Sequence, residues 1–414
     1  MKSQIYKDTE LGRLPKEWEV AKFADNFEYA KGKKPNEVAD ERKSNFLPYL
    51  STEYLRENIL TKFADFSEGV EVVADGELIL LWDGSNAGEI FYGKKGVLSS
   101  TMVKIKQKTD KFQTNFLFYL LKSKQDYLQS QTKGTGIPHV SGNVLDNLLL
   151  PLPPLSEQQK ISEILSTVDS AIQKTDEILA KTERLKKGAM QKLLAKGIGH
   201  KEFKDTEIGR LPKEWEVVKL GKISELKNGI NFSKIQKAEG GLPTIDVLNM
   251  YGNSIYADLS SLYSVQINLE SNSDFVLKNG DILFVRSSMK REGAGWACLF
   301  KENEKRVTFC GFIIRARLTT NKIIPEFITY FLRSPKARKI IIANAGQVGI
   351  ANINQNALSN LNVPLPPLPE QQKIAEILST IDGKLEQERR RKEKLERVKK
   401  GLMNELLTGR KRVS

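Results

Sequence analysis

The sequence predicts an α+β protein built as an internal pseudo-two-fold repeat. Two globular α/β domains alternate with two long helices that pair antiparallel, in the manner of a coiled coil. Three observations carry this. The stretch KDTELGRLPKEWEV (7–20) returns as KDTEIGRLPKEWEV (204–217), changed only at Leu11 and Ile208. PLPPLSEQQKISEILSTVD (151–169) returns as PLPPLPEQQKIAEILSTID (364–382), and ERLKKGAMQKLL (183–194) as ERVKKGLMNELL (396–407). After each Pro-rich stretch, apolar residues recur every three or four positions, which is the period of an amphipathic helix.

The opening phrases lie 197 residues apart and the helix phrases 213 apart, so the second globular stretch is 16 residues longer. Two copies are too few for a solenoid, which stacks three or more units. They suit a chain that presents one face twice, to two copies of a partner or to the halves of one ligand. Four segments follow. Residues 1–150 form the first globular domain, with its opening phrase at 6–20, and 151–200 the first long helix. Residues 201–363 form the second domain, with its opening phrase at 203–217, and 364–414 the second helix and a basic tail.

In the first domain, strands are expected at Phe46 to Leu50, Leu78 to Trp82 and Val97 to Ile105, and a helix at Thr114 to Gln129. The second offers strands at Leu242 to Leu248, Asp281 to Arg286 and Val307 to Leu318, and a helix near Pro325 to Ala343. The two middles share a faint skeleton: GELILLW (76–82) faces GDILFVR (280–286), and FLFYLLKS (116–123) faces FITYFLRS (327–334).

Leu-Pro-Pro-Leu (152–155) cannot be helical, so it punctuates. Ser156 with Gln159 reads as a helix cap and its capping-box partner. The helix then runs some 40 residues, about 60 Å at 1.5 Å per residue. It stops at Gly197, and its second copy at Gly409. Its packing stripe holds Ile161, Leu165, Val168 and Ile172 in one copy, and Ile374, Leu378, Ile381 and Leu385 in the other. Gly188 and Gly401 sit mid-helix at matched positions, where glycine costs about 1 kcal/mol against alanine. Close approach of two backbones would account for them.

Composition bounds the function. Hydrophobic residues make up 40% of the 414, enough for folded cores, and no apolar run reaches the length of a membrane span. MKSQIYKDTE has no signal-peptide core, so a cytoplasmic protein is expected. The net charge of +14 points to a polyanion, most simply nucleic acid. Two cysteines (Cys298, Cys310) and two histidines (His139, His200) are too few for a zinc site at the usual spacings. There is no P-loop and no GxGxxG, and EGAGWAC (292–298) lacks that spacing. Asp75, Glu77 and Asp83 make a weak nuclease pattern. No catalytic residue and no metal ligand is therefore assigned.

Candidate DNA contacts lie in polar loops at matched positions. Arg and Lys read guanine, Asn and Gln read adenine, and phosphate contacts set register. In the first domain these are Lys31, Lys33, Lys34, Ser85, Asn86, Lys94, Lys95, Lys133, Thr135 and His139. In the second they are Lys227, Asn231, Lys234, Arg286, Ser287, Lys290, Arg291, Gln347, Asn352 and Asn354.

Together, DTELGRLPKEWEV (8–20), DTEIGRLPKEWEV (205–217), LPPLSEQQKI (152–161) and LPPLPEQQKI (365–374) make the chain resemble, over 1 to about 410, the DNA-specificity subunit of a type I restriction–modification enzyme. The resemblance implies that the globular domains are target recognition domains, each reading one half of a bipartite, asymmetric site in double-stranded DNA. It implies that the helices space them and dock two modification (methyltransferase) subunits. Trp18, Trp215, Gln158, Gln159, Gln371 and Gln372 are the candidates for that docking. S-adenosylmethionine, ATP and Mg would belong to partner subunits, with two restriction subunits as a further addition, and no cofactor to this chain. A modification-only or bifunctional system is the rival within the class. A coiled-coil scaffold with no DNA role is the rival outside it.

Overall fold

The computed structural model describes residues 6–66, 69–132, 137–268, 273–301, 305–348 and 350–413. The chain divides into two compact units, Met1–Asp176 with Arg391–Ser414, and Glu177–Arg390. Each unit thus takes one globular body, the first part of the helix that follows it, and the last part of the other helix.

The core of the first unit is an antiparallel sheet of β1 (Phe27–Lys31), β2 (Leu78–Leu81), β3 (Ile90–Tyr92) and β4 (Met102–Gln107), in the order β3-β2-β4-β1. Leu78–Leu81 is buried at every position. Such a strand reads as a continuous apolar run because both its faces are covered. Helix α1 (Thr114–Ser123) covers the sheet with six consecutive buried residues, Phe116 to Leu121. The opening phrase folds as a hairpin, Tyr6–Thr9 with Gly12–Pro15, and its continuation Glu19–Lys22 pairs with Leu149–Leu152. The phrase is thereby stitched to the residues just before the long helix α2 (Leu155–Lys196).

The second unit repeats this plan with β5 (Ser224–Asn228), β6 (Ile282–Val285), β7 (Ala297–Leu299) and β8 (Ile313–Leu318), in the matching order β7-β6-β8-β5. Helix α3 (Pro325–Arg333) covers that sheet, and α4 (Leu368–Leu406) is the second long helix. The strand Glu216–Lys219 pairs with Asn362–Leu365. Each unit also has a second sheet with one parallel pair: 96–98 beside 46–50 in the first, 308–309 beside 237–245 in the second.

Within each unit the helix segments run antiparallel. In the first, Asp169 meets Lys399 at 2.5 Å and Asp176 meets Lys392 at 2.6 Å. In the second, Lys186 meets Asp382 at 2.6 Å and Glu183 meets Arg389 at 2.9 Å. One number rises as its partner falls, which is the antiparallel register. Ile161, Leu165, Ile374, Leu378 and Leu385 are buried, and Val168, Ile172 and Ile381 half-buried, as the stripe predicts.

Several expectations are corrected. Gly188 and Gly401 are exposed, and a Cβ on either would meet nothing within 4 Å, so neither marks a close backbone approach. Ser156 lies inside the first turn of α2 and does not cap it; Glu157 and Gln158 N–H donate to the carbonyl of Pro154 instead. The strand expected over Val97 to Ile105 is two strands, 96–98 and 102–107, parted by a turn. Val307 to Leu318 likewise divides into 308–309 and 313–318.

Candidate nucleic-acid interface

In both units the candidate residues gather where β2 and β6 end. In the first unit β2 runs into Trp82 and a loop that carries Ser85 and Asn86, both exposed. Asp83 bridges to His139 as a β pair, and Lys31, the last residue of β1, sets its ammonium 2.9 Å from the Asp83 carboxylate. Gly84 N–H donates to Pro138 O and Val140 N–H to Trp82 O, so two distant loops are locked together there. Trp82 and Tyr29 lie with ring centroids 5.1 Å apart, forming an aromatic floor.

The second unit has the same construction with different side chains. Ser287 and Ser288 pair with Asn352 and Ala351. The Ser287 hydroxyl donates to the Asn352 carboxamide oxygen. Arg286 reaches the carbonyl of Gly311 at 3.4 Å, and the Asn231 carboxamide lies over the same glycine. Lys290 and Arg291 are exposed on the following loop, and neither forms an ion pair among the described residues. The arrangement offers cationic, amide and hydroxyl groups on one rim, the mix that reads base edges and phosphates.

Other candidates are placed elsewhere. Lys94 and Lys95 follow β3, at the opposite end of the β2–β3 hairpin from Ser85 and Asn86. Lys94 is held by the Asn58 carboxamide at 2.5 Å and lies over the Tyr54 ring. Lys227 faces Asp274 at 3.1 Å over the Phe275 ring. Asn354 caps a short helix by accepting from Ala357 N–H. Lys33 and Lys34 are exposed in the segment after β1. Lys133 and Thr135 lie outside the described residues, as do the side chains of Lys234 and Gln347.

The docking candidates divide sharply. Trp18, Trp215, Gln158 and Gln371 have 0% of their surface exposed, so no partner can touch them. They instead hold each long helix to its globular body. Trp18 Nε1–H donates to Glu157 at 2.9 Å, and the Arg412 guanidinium meets the same carboxylate at 2.7 Å. Trp215 Nε1–H donates to Glu370 at 2.9 Å, where His200 takes the place of the arginine, also at 2.9 Å. Gln158 donates to Lys111 O and Pro153 O and accepts from Gln113 N–H; Gln371 does the same with Lys322 O, Pro366 O and Ile324 N–H. Only Gln159 and Gln372 of this group are exposed.

A third duplicated contact was missed by the sequence reading. Tyr119 O–H donates to Asp169 at 2.8 Å, and Tyr330 O–H to Asp382 at 2.9 Å. Burial, then the neighbouring carboxylate, pushes both hydroxyls well above the ordinary tyrosine value. The signal was present, since each Asp ends an identical LST-x-D and each Tyr sits in matching apolar runs.

Among the described residues no group of three or more His, Cys, Asp or Glu could hold a metal ion, and no helix is long and apolar enough to cross a membrane.

Comparison with known proteins agrees with this duplicated plan. A family profile described as "Type I restriction modification DNA specificity domain" matches residues 15–184 and again 212–397. The chain is 39% identical over 414 residues to the type I restriction enzyme MjaVIII specificity subunit of Methanocaldococcus jannaschii, covering 100% of this chain and 97% of that one. It is 24% identical over 313 residues to the EcoBI specificity subunit of Escherichia coli, covering 72% and 65%. The fold is similar to that of the type I restriction–modification S subunit from M. genitalium, with a TM-score of 0.60 at 15% identity over 94% of this chain and 96% of that one.

Proposed function

Since the chain belongs to the type I restriction–modification DNA specificity family, we propose that each of its units reads one half of a bipartite, asymmetric site in double-stranded DNA. The observation that carries this is the matched rim. Lys31, Ser85, Asn86 and His139 gather at the end of β2, and Asn231, Arg286, Ser287 and Asn352 at the equivalent end of β6. One scaffold bearing different side chains suits a reader of two different half-sites. Phosphate contacts would fix the register and weaken with salt, and rim contacts to base edges would select the sequence.

The paired helices would set the distance between the half-sites and seat two modification subunits through exposed residues such as Gln159 and Gln372. Methyl transfer with S-adenosylmethionine would take place on those partners, and ATP with Mg would serve restriction subunits where they join. This chain would do no chemistry itself and would act in the cytoplasm.

The test is duplex binding by the complex with its modification subunits at increasing salt. Lys290→Gln with Arg291→Gln should flatten the log–log salt dependence by about 2 if each side chain neutralises one phosphate. An unchanged slope would remove this rim from the DNA interface.

A further inference from the structure

Met289 is unexplained by polar recognition. It is 93% exposed, directly after the two-residue strand Ser287–Ser288 that pairs with Asn352 and Ala351. Ile350, 51% exposed, flanks the same end of that strand pair. Tyr251, 46% exposed, donates its hydroxyl to Ser288 at 3.2 Å and so braces the base of the loop.

A lone exposed methionine is ordinary on a protein surface. This one differs in its setting. It leaves the strand pair at the end where Ile350 is exposed, and the next two residues are the exposed cations Lys290 and Arg291, with Glu292 after them. The cations favour a polyanion, and the apolar tip then meets whatever the polyanion offers between its phosphates. In the major groove that is the 5-methyl group of thymine, the one apolar feature by which the base edges are told apart. An unbranched, polarisable thioether adapts readily to such a group.

In the first unit Ile137, 69% exposed, stands at the position of Ile350, but among the described residues the loop after β2 has no counterpart of Met289. That loop, between β2 and β3, is three residues shorter than the loop between β6 and β7, and it exposes Ser85 and Asn86.

Resting on the DNA-recognition reading above, we propose that Met289 is the side chain by which the second unit senses a thymine methyl in its half-site. The substitution that tests it is safe for the fold, because the side chain is almost wholly exposed.

Methylation sequencing defines the half-site. Each thymine in it is then replaced in turn by deoxyuridine, which removes the methyl and leaves the pairing intact. Duplex affinity is measured for the complete complex and for its Met289→Ala form. One replacement should weaken the unaltered complex about fourfold, the worth of one buried methyl, and leave Met289→Ala unaffected. Three results would overturn the proposal: the same deoxyuridine profile in both proteins, a Met289→Ala loss that does not depend on the methyl, as for a wedge between base steps, or a half-site without thymine. Failure of the unaltered complex to bind any sequence selectively would instead sink the recognition reading itself.

Discussion

Gln158→Leu separates an internal role from a docking role. The Gln158 carboxamide makes three hydrogen bonds with no exposed surface: to Lys111 O at 2.8 Å, to Pro153 O at 2.9 Å, and from Gln113 N–H at 2.8 Å. Leucine nearly fills the same space but strands two carbonyls and one amide. A buried polar group left without a partner costs about 1–3 kcal/mol. Three of them give about 3 kcal/mol at the lower end, and that end applies because Gln113 is only half-buried. For a unit of about 200 residues, 2–4 °C per kcal/mol corresponds to a fall of about 6–12 °C in melting temperature. The assay is thermal unfolding of the free chain, with hydrogen exchange on residues 155–165 to localise the loss. Gln371→Leu should do the same to the second unit. A change under about 1 kcal/mol, accompanied by loss of the modification subunit, would refute the internal role and restore docking.

Gly188→Ala and Gly401→Ala should each stabilise the free chain by about 1 kcal/mol, since the added methyl meets open space in a helix interior; denaturant midpoints check this. Tyr119→Phe should flatten the alkaline limb of stability. Burial and Asp169 raise the folded-state value of that hydroxyl, so its contribution is complete below the unfolded value of about 10 and is lost as pH rises above it. Stability measured from pH 8 to 11 in both proteins reads the difference. Four residues inserted in each long helix add about 6 Å, and at about 3.4 Å per base pair should lengthen the spacer of the methylated motif, read by sequencing, by roughly two pairs.

The helices were the most legible part. Ile161, Leu165, Ile374 and Leu378 follow the 3.6-residue period, and all are buried. Broken strands were less so. Val97 to Ile105 carries Ser99, Ser100 and Thr101 between its apolar residues, and this short polar stretch, read as part of one strand, is the turn that parts two. The helix break at 334 was likewise overlooked although the sequence marks it. Residues 325–343 form two helices because Ser334 caps the second, with Pro335 in its first turn.

The sequence placed the candidate residues on paired loops, but exposure was not legible. Gln158 and Gln159 are neighbours in one identical phrase, and a helix turns them to opposite fates, one sealed and one open. Trp18 and Trp215 stood out because they repeat, yet repetition marks interior contacts as readily as docking surfaces. The rim partners Asp83 and His139 are 56 residues apart in sequence and meet only through the sheet.

The most direct test of two half-site readers is single-molecule sequencing of genomic DNA from cells that express this chain with its modification subunit. A split, asymmetric N6-methyladenine motif should appear and vanish without the chain. Exchanging the 82–89 loop should then alter one half of the motif and leave the other half and the spacer unchanged. A motif altered in both halves, or no methylation from a stable complex, would contradict the account.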